Sequence, residues 1–167
     1  MKKLEPAPLT RDAYRPYGDV VMAEHVGGAN ANQGTAMRFN RQAALENLRP
    51  GTAAPNVAVF RCAPRGVPCH VGLLEKHPLS TQLFIPMSVA RFLVVVALGA
   101  DAPDMGTARA FLAEGTQGIS YRPGVWHSPL LALDREALFA CVIWEAEDAN
   151  DCVEHPLAGE EAVVVEV

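Results

Sequence analysis

Gly118-Ile119-Ser120-Tyr121-Arg122-Pro123-Gly124-Val125-Trp126-His127-Ser128-Pro129-Leu130 decides the reading of this chain. A short apolar run enters a Pro-Gly turn, and the turn delivers a histidine into the next strand-like run. The glycine permits a backbone that residues with side chains resist. Upstream, Leu74-Glu75-Lys76-His77-Pro78-Leu79-Ser80-Thr81-Gln82-Leu83-Phe84-Ile85-Pro86-Met87 repeats the theme, with Pro78 pushing His77 toward extended backbone. Two imidazoles brought to one cavity can do proton chemistry near neutral pH.

Working outward, short β-branched or aromatic runs recur between Pro and Gly punctuation. Residues 56–62 alternate, with Val57, Val59 and Arg61 on one face and Ala58, Phe60 and Cys62 on the other. Further runs lie at 83–87, 91–98, 108–112, 118–121, 138–144 and 162–167. Many short strands parted by turns predict an all-β sandwich or barrel. The 91–98 run is apolar on both faces after Arg91, which places it deep in the structure. Helical signals are local: Thr10 caps a turn ending at Pro16, and residues 41–48 form a short helix stopped by Pro50-Gly51. The valine-rich end, 162–167, either completes its own sheet or adds an edge strand to a partner.

The 167 residues fit one domain spanning 1–167, with half the chain hydrophobic and a fifth charged, a globular balance. A formal charge of −5 argues against a nucleic-acid or anionic-membrane surface. The longest apolar run, 92–98, is too short to span a bilayer, and no apolar stretch follows the basic N-terminus as a secretory signal requires. Four cysteines without CxxC spacing read as reduced thiols of a cytoplasmic protein.

Several side chains carry candidate chemistry, each with a plainer structural reading. His77 is a proton-transfer candidate or a turn residue; Glu75 is an alternative proton acceptor or half of a solvated pair with Lys76. Gln82, at a strand start, is expected to turn its amide to the same cavity as His77. Trp126 is a cavity wall or core, and Tyr121 brings a hydroxyl that burial must satisfy. Arg61 sits on an apolar strand face, where a guanidinium calls for an anion, either a structural carboxylate or that of a substrate. Arg38 is a second carboxylate-binding candidate or a surface residue.

Gly118-x4-Pro123-Gly124-x2-His127 resembles the second signature of the cupin superfamily of double-sheet β-barrels, a jelly-roll fold. Against the first metal-binding signature of that superfamily, His77 fits, Leu79 replaces the second His, and Gln82 stands near the place of the Glu. Two good ligands are therefore lost, which argues against a strong metal centre and leaves a loosely held divalent ion on His77, Gln82 and His127.

The likeness goes further. LEKHPLSTQLFIPM (74–87) resembles the LERHPLGTQAFIPM-type segment of bacterial ureidoglycolate lyases, and the similarity extends to 92–99, Arg109-Ala110-Phe111, Gln117-Gly118 and Val125-Trp126-His127. Upstream, Tyr17-Gly18-Asp19-Val20, Asn32-x-Gly34 followed by Arg38, and the Arg61 strand also fit. Ser80 replaces a usual glycine, and Ser128 stands where family members often carry a second His. The resemblance implies a homodimeric cupin with a few short helices that splits (S)-ureidoglycolate into glyoxylate and urea. It casts His77 and His127 as acid/base groups with Glu75 as alternative, and Arg61, Arg38, Gln82, Tyr121, Asn32 and Trp126 as the substrate-binding set. Rival readings are another small-molecule cupin enzyme, an isomerase or epimerase, or a non-catalytic metabolite-binding cupin.

Overall fold

The computed structural model describes residues 1–24, 27–49, 51, 53–146 and 151–167, and short strands run through nearly all of it. The first part of the chain holds β1 (Lys2–Leu4), β2 (Ala7–Pro8), the one-turn helix α1 (Arg11–Tyr14), β3 (Val20–Val21), β4 (Ala29–Ala31) and β5 (Ala36–Arg38). Next come β6 (Ala54–Cys62), β7 (Cys69–Val71), β8 (Leu73–Lys76), β9 (Gln82–Ser88), β10 (Arg91–Leu98) and β11 (Asp104–Glu114). β12 (Gly118–Tyr121), β13 (Trp126–His127), β14 (Leu131–Leu133), β15 (Ala137–Glu145), β16 (Val153–Pro156) and β17 (Val163–Val165) follow.

Two sheets face each other, as a jelly roll requires. One runs β16-β8-β13-β10-β11-β2, with β14 also on β10; the other runs β3-β12-β9-β15-β6. Phe92 of the first meets Phe139 of the second edge-on, with ring centroids 5.1 Å apart. β10 is the centre, as its two apolar faces predict: Phe92, Val94 and Val96 point into the space between the sheets, while Leu93, Val95 and Ala97 pack on the other side with Trp126. None of these six strand residues is more than 1% exposed. The C-terminal valines complete their own structure, since β17 lies between β1 and β7 in a third, small sheet.

Local signals fared unevenly. Thr10 does cap α1, its hydroxyl accepting from the Ala13 amide at 3.3 Å. The helix expected over 41–48 is absent; that stretch is irregular, and Arg41 has a left-handed φ of 55°. Tertiary hydrogen bonds take the place of helical ones there: Ala44 donates to Asp19, Glu46 donates to the Thr81 hydroxyl, and Leu48 donates to the Leu79 carbonyl. Gly18 is required by close approach, because a Cβ there would lie 1.8 Å from the Ser120 carbonyl oxygen.

β4 and β5 pair only with each other. They form an arm whose side chains are mostly exposed.

Candidate active site

Strand register brings the chemistry together. β13 pairs antiparallel with β8 so that His127 lies directly opposite Glu75, and directly opposed residues share a face. His127 Nε2 consequently sits 3.6 Å from Glu75 Oε1, just beyond hydrogen-bond length. β8 ends at Lys76, and His77, which follows, places its ring 5.6 Å from that of His127. β9 opens with Gln82 against Tyr121 of β12, and the Tyr121 ring stacks on His127. The cavity at this point measures about 430 Å³, with Glu75, His77, Gln82, His127 and Ser128 at its polar end and Phe60, Phe84, Leu130 and Ile143 among its apolar walls.

Both imidazoles are oriented by main-chain carbonyls. His127 Nδ1 lies 2.9 Å from the Val125 carbonyl, and His77 Nδ1 bonds the Asp151 carbonyl. A carbonyl only accepts, so each Nδ1 carries a proton and each Nε2 is left to the site. Among the described residues those two Nε2 atoms are buried without a hydrogen-bond partner, as are Gln82 Oε1 and Ser128 Oγ. Burial and the neighbouring His127 pull the His77 pKa down, keeping it neutral near pH 7. Contact with His127 holds the Glu75 carboxyl below its ordinary range despite partial burial.

This donor set fits a divalent cation. Two imidazole nitrogens and a carboxylate oxygen from Glu75, His77 and His127 lie within 4.8 Å of one another, and the orphaned Gln82 oxygen joins them at the cavity's polar end. Glu75 thus enlarges the ligand set expected from sequence. Cys141 and Cys62 also line the cavity, but burial pushes the Cys141 thiol up to about 12, leaving it protonated and inert.

Other expected site residues lie elsewhere. Arg61 sits on the face of β6 opposite the cavity, which is lined by Ala58, Phe60 and Cys62; it is 3.5 Å from Glu136, with both side chains exposed. The sequence placed its apolar face inside, yet Val57 is 69% and Val59 62% exposed. Trp126 alternates away from His127 into the second core, with Lys76 Nζ 4.5 Å above its ring. Asn32 and Arg38 stand on the exposed β4–β5 arm, outside the cavity of their own chain.

Asp151 was missed altogether. Its carbonyl orients His77, while its carboxylate accepts from the Leu79 amide at 2.9 Å and the Ser80 hydroxyl at 2.8 Å. No motif marks it, since it follows the last long strand in a stretch without periodicity. Ser80, noted only as a departure from glycine, is the residue that its carboxylate binds.

A jelly-roll barrel with two histidines and a carboxylate converging in its cavity defines a cupin-type enzyme for small molecules. A family model described as Ureidoglycolate lyase matches residues 1–166, and this chain belongs to the ureidoglycolate lyase family. Ureidoglycolate lyase of Pseudomonas savastanoi pv. phaseolicola is 37% identical over 99% of this chain and 96% of its own. That of Pseudomonas fluorescens strain SBW25 is 38% identical over 99% and 98%. A dTDP sugar isomerase from Desulfovibrio desulfuricans G20 superposes with a TM-score of 0.50 at 18% identity, covering 84% of this chain and 86% of that one. This last likeness is one of fold.

Proposed function

We propose that this protein cleaves (S)-ureidoglycolate to glyoxylate and urea, as a step of allantoin and purine breakdown. The observation that carries the reading is the convergence of Glu75, His77, Gln82 and His127 on one cavity in a chain of this family. Ureidoglycolate is a carbinol-amide. Its hydroxyl proton must leave, the carbonyl forms, and urea departs as its nitrogen gains a proton.

His77, with its proton on Nδ1 and its pKa lowered by burial, presents a lone pair at Nε2 and donates no proton into the cavity. Glu75 then serves as proton carrier: its carboxylate takes the hydroxyl proton and returns it to the departing nitrogen. His77, His127, Gln82 and one Glu75 oxygen would hold a weakly bound divalent ion. Such an ion supplies charge that makes an adjacent hydroxyl more acidic, so that a carboxylate of low pKa suffices as base. Ser128 Oγ is placed to accept from a ureido N–H, and Phe60 and Phe84 restrict water around the substrate. Holding a small anion in one pose removes much of its freedom before reaction.

The assembly we propose is a homodimer in the cytoplasm. Free thiols on all four cysteines and the apolar outer face of the β9-β15-β6 region support it. Among the described residues, no helix is long and apolar enough to cross a membrane.

A coupled assay of urea and glyoxylate, with and without chelator, tests the reaction. Equal amounts of both products are expected from the wild type, and His127→Asn should lower saturated turnover at least ~100-fold. Absence of both products would sink the reading, and undiminished turnover in the variant would remove His127 from the mechanism.

A further inference from the structure

Resting on that reading, we infer that the β4–β5 arm of one protomer closes the active site of a second copy and supplies the cation that binds the substrate carboxylate. Among the described residues no lysine or arginine lines the cavity, while Glu75 and Glu145 do, so the chain itself offers a substrate carboxylate no guanidinium or ammonium there. Residues 27–41 show the opposite balance: Arg38 and Arg41 with no Asp or Glu. The Arg38 side chain has no hydrogen bond or ion pair among the described residues.

The arm is shaped for a contact that its own chain does not make. Asn32 and Gln33, at its tip, hold φ values of 48° and 58°, a left-handed backbone that non-glycine residues adopt at a cost. Met37 beside Arg38 is 56% exposed. Among the described residues, the arm's hydrogen bonds outside its strand ladder are internal, from Thr35 to the Asn32 carbonyl.

Geometry points to the partner rather than to the chain's own cavity. The segments flanking the arm are tied beside β3: the Gln42 amide oxygen accepts from Arg11 and from the Met22 amide, and Ala44 donates to Asp19. β3 and β6 are opposite edges of one sheet, with three strands between them, roughly 19 Å apart at ordinary strand spacing. The inner face of β6 lines the cavity. The outer face between those edges is largely apolar, carrying Val57, Val59, Leu83, Ile85, Met87 and Val142 beside the exposed Arg61–Glu136 pair, and Met87 is 59% exposed. A second copy packed on that face, with the two-fold running along the strands, sets each arm over the β6 edge of the other chain. The basic arm then meets the acidic cavity mouth.

Heterodimers decide the matter. Two differently tagged variants, Arg38→Ala and His127→Asn, are purified as homodimers and as the mixed dimer, and kcat/KM for glyoxylate release is measured. We expect Arg38→Ala alone to lose roughly 10- to 100-fold, as for a lost charged hydrogen bond, with Arg38→Lys retaining more. The mixed dimer should regain about half of the wild-type value, because its intact cavity lies under an intact arm. No regain in the mixed dimer, full activity of Arg38→Ala, or a monomer in ultracentrifugation overturns the inference. If the wild type releases no glyoxylate, the lyase reading falls instead. The arm is then judged by Gln33→Cys with a short bis-maleimide: chain-to-chain linkage to Cys62 sustains it, and products within one chain overturn it.

Discussion

The ring of Tyr121 lies flat on that of His127, centroids 3.8 Å apart and planes 7° from parallel. With Nδ1 on the Val125 carbonyl, the imidazole is fixed in both plane and rotation. The tyrosine is buried beneath it and is not part of the cavity lining. Its role is therefore carried by the ring. Tyr121→Phe should keep kcat within about threefold of wild type, whereas loss of a substrate hydrogen bond would cost roughly tenfold. Tyr121→Leu, which removes the stack, should lower kcat by more than Phe does.

Chelator-treated protein should report the neutral His77. Its pKa in the folded state is lowered from 6.5, so above pH 6.5 the ring is neutral in both folded and unfolded chains and contributes no pH dependence. As pH falls below that value the unfolded chain takes up the proton first, and stability declines until the folded pKa is passed. Urea midpoints at pH 7.5 and 6.5 should nearly agree and that at pH 5.5 should be lower, and His77→Gln should flatten the trend. Glu75 is silent in this range, because its lowered carboxyl titrates below 4.5.

Glu75→Gln separates charge from shape. The amide keeps the volume and one oxygen but not the negative charge or the proton acceptor. Divalent-ion affinity, followed by calorimetry, should weaken at least about tenfold. Turnover should fall further than affinity, even with the ion in excess. Equal losses in both would take proton transfer away from Glu75.

Asp151→Ala leaves the main-chain carbonyl in place but removes the carboxylate that anchors it to Leu79 and Ser80. His77 then loses its fixed orientation. Turnover should drop about tenfold with little change in KM, and Asp151→Asn, which keeps one acceptor, should restore part of it. A rise in KM alone would assign Asp151 to substrate binding.

Gly18→Ala drives a methyl group into the Ser120 carbonyl, which also accepts from the Tyr14 hydroxyl at 3.1 Å. Overpacking of this kind costs about 1–3 kcal/mol and should lower the melting temperature by roughly 3–10 °C. An unchanged melting curve would show that β12 yields at that point.

Periodicity and punctuation made the barrel legible. The doubly apolar 91–98 run announced a central strand, and the Pro123-Gly124 turn announced His127. Glu75, His77 and Gln82 were readable because they flank one strand start. What failed was sidedness and long-range hydrogen bonding. The alternation in β6 was correct, but nothing local says which face meets the cavity, so Arg61 was placed inside. Trp126 is apolar enough for either side of β13 and went to the core. Residues 41–48 follow partners far along the chain rather than their own helical preference. Asp151 acts through its backbone, which no side-chain pattern records.

That last dependence ties reactivity to the far end of the chain. A version cut after β15 would keep the β3-β12-β9-β15-β6 sheet but lose β16 from the facing sheet and the buried valines of β17. Its reactive ring would also swing freely, because the peptide group that steers it comes from the connection into β16. Substitutions at Asp151 that displace its carbonyl are thus expected to lower turnover through the orientation of His77.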